Sequence, residues 1–242
     1  MTLLRTALGC VIRFSRPCIS PVQKQLVVFP HAGGGVAFYQ HWRDLLPDDV
    51  DLFIVLYPGR EDAQSLVAWE TAQHAVEHCT NSLQSLLGIA PVVFFGHSMG
   101  ALLALRVAGA LQKSRFAINT VLSAQRIPSE LIIYKREEQR QEILDSILTF
   151  SEGSSVLMLD EFTRPVVTRL IWQDLRLLGE LSDGPLPNLL PRIWGGERDP
   201  LISSADLLLW EKALPGCRVR FFPGDHFYFM QDTAAFLRLL LQ

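Results

Sequence analysis

The 242-residue sequence predicts an α/β fold, a mostly parallel central sheet with helices on both faces. Two observations predict it. Short β-rich runs alternate with longer stretches whose apolar residues recur at helical spacing, the alternation that parallel strands need for their crossovers. Several of those runs are apolar without interruption, as strands covered on both faces must be. Apolar residues make up 49% of the chain and charged residues 19%, so a large core is available and disorder is excluded as the main state. The length suits a single domain over residues 1–242.

In order along the chain, residues 11–14 read as an antiparallel edge strand. Strands follow at 26–30, 52–57, 92–95, 120–123, 191–194 and 219–222. Helical periodicity covers 38–46, 65–87, 99–112, 205–214 and 233–241. The gap from about 124 to 190 is longer than a crossover requires and predicts a helical insertion, a lid over the carboxyl edge of the sheet. Its first half, 130–150, reads as a charged amphipathic helix; its second, 156–181, is apolar and contains Met158, Phe162 and Trp172.

Charge and cysteine usage narrow the function classes. Lys and Arg total 22 against 25 Asp and Glu, a formal charge of −3, which lacks the basic footprint of a nucleic-acid binder. Cys10, Cys18, Cys79 and Cys217 show neither CxxC spacing nor neighbouring histidine ligands, so no metal site and no disulfide framework is expected. A run ending at Gly9-Cys10 faintly resembles a lipoprotein signal, but Arg5 interrupts it and it is too short. No apolar run reaches the roughly 18 residues of a membrane span. A cytoplasmic, monomeric protein without a membrane partner is expected.

The chemistry centres on Gly96-His97-Ser98-Met99-Gly100, a GxSxG placed directly between an apolar strand and a helix. In that context it is a nucleophile elbow: the glycines leave room for a sharp strand-to-helix reversal that holds Ser98 in a strained, exposed position. The Met99 amide then opens a helix, where developing negative charge is favoured. A serine hydroxyl needs a base. His97 leaves the turn in another direction, His74 and His78 lie one helical turn apart without a third ligand, and His41 reads as a surface residue. His226 follows the last strand, where this fold delivers its base, and Phe227 beside it is a candidate substrate contact. Asp199, after the 191–194 strand, is the preferred orienting acid over Glu197 and Asp225. The chain order Ser98, Asp199, His226 is that of the α/β-hydrolase fold.

A second oxyanion donor is expected from the loop Pro30-His31-Ala32-Gly33-Gly34-Gly35, assigned to the Ala32 amide, with His31 orienting the loop or touching substrate. A phosphate-binding loop is disfavoured because neither GKS/GKT nor GxGxxG is present.

With these motifs assembled, the chain resembles the type II thioesterases, the stand-alone editing enzymes of nonribosomal peptide and polyketide assembly lines. The resemblance is carried by Phe29-Pro30-His31-Ala32-Gly33-Gly34, Tyr57-Pro58-Gly59-Arg60-Glu61, the elbow, Gly195-Gly196-Glu197-Arg198-Asp199-Pro200 and Gly224-Asp225-His226-Phe227, and it covers about residues 26–240. Trp172-Gln173-Asp174 stands where that family usually has RAD, and Ser123-Ala124-Gln125-Arg126-Ile127-Pro128 where it has SGRxAP. The resemblance implies hydrolysis of aberrant or stalled acyl groups from the phosphopantetheine arm of carrier proteins, without a cofactor of the enzyme's own. The first motif looks closest to members from siderophore assembly lines. Met158 and Phe162 are expected to line the acyl pocket. The alternatives are a general carboxylesterase or lipase acting on small esters or acyl-CoA, and a non-catalytic interaction protein that keeps the fold.

Overall fold

The computed structural model describes residues 4–15, 21–153 and 160–242. Eight strands form one sheet among them: β1 (Leu4–Leu8), β2 (Val11–Ser15), β3 (Lys24–Phe29), β4 (Val50–Val55), β5 (Val92–His97), β6 (Ile118–Ser123), β7 (Arg192–Gly196) and β8 (Val219–Phe222). Their spatial order is β1-β2-β4-β3-β5-β6-β7-β8. β1 pairs antiparallel with β2, and β2 with β4; every other neighbouring pair is parallel. The antiparallel strand expected at 11–14 is present as β2, but it is not the edge: β1 pairs on its outer side through a turn in which Gly9 has φ of +55°.

Among the described residues nine helices accompany the sheet: α1 (Val36–Tyr39), α2 (Trp42–Leu45), α3 (Ala72–Leu86), α4 (Met99–Ala110), α5 (Pro128–Leu131), α6 (Glu137–Gly153), α7 (Thr163–Leu181), α8 (Ser204–Ala213) and α9 (Thr233–Leu240). Side-chain alternation along the strands splits the core in two. Val27, Phe53 and Phe94 face a layer built by α3, α4, α7 and α8. Val28, Ile54 and Phe95 face α1, α2 and α9. β4 and β5 are buried along their whole length, which is why they read as continuous apolar runs.

The helix expected at 38–46 is two short helices, parted at Gln40–His41; the second ends at Leu45, where the fully buried Arg43 turns its guanidinium onto the carbonyls of Leu46, Pro47 and Val50. The helix expected from residue 65 begins only at Ala72, where the Thr71 side chain accepts the His74 amide at 3.2 Å and caps the first turn. Within the 124–190 segment, the single helix expected at 130–150 is interrupted: a 3-10 turn at Ile132–Lys135 separates α5 from α6. No helix among the described residues is long and apolar enough to cross a membrane.

The topology also fixes where a ligand can sit. From β3 the chain winds to β4 on one side and returns to β5 on the other. The carboxyl ends of β3 and β5 are thus adjacent at a switch point, where the outgoing loops part and open a crevice.

Candidate active site

Ser98 sits between β5 and α4 with φ of 54° and ψ of −123°, a conformation that non-glycine residues rarely adopt. The Ser98 amide donates to the Ser123 carbonyl at 2.8 Å, which fastens the elbow to β6. A Cβ on Gly96 would lie 2.3 Å from the Gly100 carbonyl oxygen, and one on Gly100 would lie 2.0 Å from that of Phe29. The elbow therefore turns tightly on itself and presses against the end of β3, as the GxSxG spacing predicts. Met99 opens α4, and first-turn amides have no acceptor within their own helix.

Asp199 and His226 come from the loops after β7 and β8. The Asp199 carboxylate Oδ2 lies 2.7 Å from His226 Nδ1, and both side chains are buried. The other oxygen, Oδ1, accepts the amides of Leu201 at 2.8 Å and Ile202 at 3.0 Å, which holds the carboxylate in place. The two loops are stitched together by backbone bonds from Glu197 to Phe222 and from Arg198 to Gly224, each 2.9 Å. They approach so closely that a Cβ on Gly196 would lie 2.1 Å from the Asp225 carbonyl oxygen. Glu197, a competing acid, is exposed, and Asp225 is occupied in accepting the Phe227 amide at 2.8 Å.

Ser98, His226 and Ala32 line one cavity of about 410 Å³. Its floor comes from the loop after β3 and from Phe227; its far wall comes from Ile147, Phe150 and Ser151 of α6 with Val167 and Ile171 of α7. Phe227 is buried against the rings of His31 and Phe38, at centroid distances of 5.0 and 5.5 Å. His31 shares a 2.9 Å hydrogen bond with the Tyr39 hydroxyl. Burial, reinforced by the facing His226 and then by Arg60, pushes the His31 pKa down to about 3, so its imidazole is neutral at ordinary pH.

His97 is turned away from the cavity and fully buried. Its Nδ1 lies 3.0 Å from the Ser123 hydroxyl, which in turn lies 2.8 Å from the Tyr228 hydroxyl. Burial holds its pKa well below the usual histidine range, with His226 and His31 adding to the effect. His41 and His74 are exposed, and His78 pairs with the Trp69 indole at 3.1 Å. Among the described residues no group of three or more His, Cys, Asp or Glu is placed to hold a metal ion.

One expected pocket residue is misplaced. Phe162 is 81% exposed at the start of α7 and does not reach the cavity. Val167 and Ile171, one turn apart, define the inward face of that helix, and five residues before Val167 the helical period points elsewhere. Met158 lies outside the described residues. The wall that sequence reading missed is the α6 pair Ile147 and Phe150, whose i, i+3 spacing within a charged helix is the signal that marked an inward face.

An eight-stranded mixed sheet with Ser98, Asp199 and His226 on the carboxyl-edge loops after β5, β7 and β8 defines a serine hydrolase architecture of the α/β-hydrolase type. The chain belongs to the thioesterase family: the thioesterase domain model matches residues 24–241. It is 30% identical to the thioesterase TesA of Mycobacterium marinum over 84% of each chain. It is 29% identical to the phenyloxazoline synthase MbtB of Mycobacterium tuberculosis over 89% of this chain, which spans only 16% of that much longer protein. Among solved structures, the type II thioesterase BorB from the borrelidin biosynthetic cluster superimposes with a TM-score of 0.78 at 26% identity, covering 94% of this chain and 96% of that one.

Proposed function

We propose that this chain is a type II thioesterase, which removes aberrant or stalled acyl groups from the phosphopantetheine arms of carrier proteins in a nonribosomal peptide or polyketide assembly line. Ser98 is the nucleophile, His226 the base and Asp199 the orienting acid. The observation that carries the reading is the 2.7 Å Asp199–His226 bond, with His226 lining the same cavity as the strained Ser98. The names of the relatives support the assembly-line setting, since BorB is a type II thioesterase of a biosynthetic cluster. The first motif, Pro30-His31-Ala32-Gly33-Gly34-Gly35-Val36-Ala37-Phe38-Tyr39, favours a siderophore pathway.

The steps are those of an acyl-enzyme serine hydrolase. Ser98 Oγ attacks the thioester carbonyl carbon while His226 Nε2 takes its proton, and Asp199 stabilises the imidazolium through Nδ1–H. The amides of Met99 and Ala32 receive the oxyanion. Collapse breaks the C–S bond, and the departing thiolate takes the proton from His226. Water then attacks the acyl-Ser98 ester with His226 again as base, which releases a carboxylic acid and free Ser98. No cofactor is required, because the phosphopantetheine arm belongs to the substrate. The helical segment between β6 and β7 serves as the lid of a single, monomeric, cytoplasmic domain, and its apolar wall with His31 and Phe227 receives the acyl group.

Intact-mass analysis of a panel of acylated carrier proteins tests this. Loss of the acyl mass with the wild type and its retention with Ser98→Ala are expected. Equal efficiency on a carrier protein, coenzyme A and a truncated pantetheine thioester would instead assign the chain to the general esterases.

A further inference from the structure

Three motifs far apart in the chain converge on one buried joint. Asp174 of α7 is 4% exposed. Its Oδ2 accepts the Gly33 amide at 2.7 Å and Arg60 Nη1 at 2.9 Å, and its Oδ1 accepts Arg60 Nη2 at 2.7 Å. Arg60 Nη1 also donates to the Gly34 carbonyl at 2.7 Å. Below it, the Tyr57 hydroxyl donates to the Pro30 carbonyl at 2.7 Å. The loop that carries Ala32 is thus gripped on both sides of that residue, at Pro30, Gly33 and Gly34.

Stability alone does not account for such a joint. A buried ion pair contributes about as much as well-packed apolar side chains of the same volume, or less. What it adds is direction: a two-pronged guanidinium–carboxylate contact fixes its partners in plane. Here the third and fourth bonds of that contact go to the backbone of one loop, which belongs to neither a strand nor a helix. α7 also presses on the loop directly, since Gly33 has φ of +75° and a Cβ there would lie 2.6 Å from Ile171 Cγ1. Ile171 and Val167 are the same residues that wall the acyl cavity.

We propose that Asp174, acting with Arg60, is a positioning residue that sets the Ala32 oxyanion donor and couples its placement to the seating of α7. The inference rests on the serine-hydrolase reading above and assigns a role to the Asp174 position of the Trp172-Gln173-Asp174 stretch and to Arg60. When α7 is seated, the loop is held with its Ala32 amide toward Ser98; without the joint, the loop keeps its fold but not that aim.

Asp174→Asn is the informative change, because it keeps size while placing an amide N–H against donors. A kcat lower by about 10- to 100-fold is expected, with KM within about threefold, the signature of a donor displaced from the transition state. An acyl trifluoromethyl ketone, which closes on Ser98 as a tetrahedral hemiketal, should lose affinity by the same factor. The matching methyl ketone, read as a ground-state competitor, should bind as before. Arg60→Lys keeps the charge but loses the fork and should show the same split, which provides a second variant if Asp174→Asn folds poorly. Asp183→Asn, in the exposed Lys135–Asp183 pair, is the control and should leave all constants unchanged. A purely structural role would lower the thermal midpoint while kcat per folded molecule and the ratio of the two ketone affinities stayed put, and that result overturns the proposal. If Ser98→Ala binds the trifluoromethyl ketone as tightly as the wild type, or the wild type does not bind it, the nucleophile assignment itself fails.

Discussion

Replacing Asp199 by Asn separates orientation from stability in a way that the hydrogen bonds define. The carboxylate makes three bonds: Oδ1 accepts two backbone amides, from Leu201 and Ile202, and Oδ2 faces His226 Nδ1. An Asn side chain must choose. Pointing its carbonyl at the two amides keeps both bonds and turns its NH₂ toward Nδ1; the reverse puts two N–H groups against two N–H groups. The first orientation wins by three hydrogen bonds to one. Nδ1 must then accept, the imidazole proton moves to Nε2, and the atom that should take the Ser98 proton is already protonated. The expected loss in kcat is about 10⁴-fold, the scale of a wrong tautomer in a serine hydrolase, or about 5.5 kcal/mol of transition-state stabilisation. Stability should change by less than about 1 kcal/mol, since the buried amides keep their acceptor. Asp199→Ala provides the contrast: activity falls comparably, and the Ile202 amide, in a residue 5% exposed, is orphaned at a cost of about 1–3 kcal/mol. Thiol release from acyl-pantetheine measures the first quantity and urea unfolding the second. Retention of more than about a tenth of the wild-type kcat by Asp199→Asn, or equal destabilisation by the two variants, would refute the reasoning.

Acid should weaken the fold through the buried imidazoles. His31 and His97 have folded pKa values below the unfolded value of about 6.5, so the unfolded chain binds more protons as pH falls. Their stabilisation is complete above pH 6.5 and is lost toward about pH 3 for His31, at up to about 1.4 kcal/mol per pH unit. His31→Gln should flatten the slope of urea-derived stability between pH 5 and 7, and an unchanged slope would contradict the assignment. Gly100→Ala should destabilise by more than about 3 kcal/mol, because the added Cβ meets the backbone carbonyls of Phe29 and Pro30 at 2.0 and 2.4 Å; near-native urea midpoints would sink this. Val167→Phe should lower kcat/KM for long acyl thioesters more than for acetyl, whereas Phe162→Ala should alter neither by more than about twofold. A chain-length series on both variants reads the difference.

Much of this arrangement was legible in the residues. The strand sequence and its parallel character follow from continuous apolar runs such as Val92-Val93-Phe94-Phe95, because a strand covered on both faces can bear no polar side. The elbow is equally local: Gly96, Ser98 and Gly100 fall within five consecutive residues, and steric crowding at a reversal depends on their spacing. Even the pairing of Asp199 with His226 was foreseeable, since chain order and strand ends put both at one edge of the sheet.

What sequence could not decide was contact between segments without a common period. Phe162 and Ile171 are both apolar residues of the insertion, yet one is at the surface and the other walls the cavity, because only the docking of α7 on the sheet selects which face turns inward. The end of α2 at Leu45 and the late start of α3 at Ala72 depended on a buried arginine and on a threonine cap, each of which overrides helical periodicity through a few hydrogen bonds. The joint between Asp174, Arg60 and the Ala32 loop is the clearest case. Its parts are 141 residues apart along the chain, from Gly33 to Asp174. Nothing in local propensity distinguishes that carboxylate from one facing water, and only the tertiary packing that removes water from around it leaves the Gly33 amide and Arg60 as its partners.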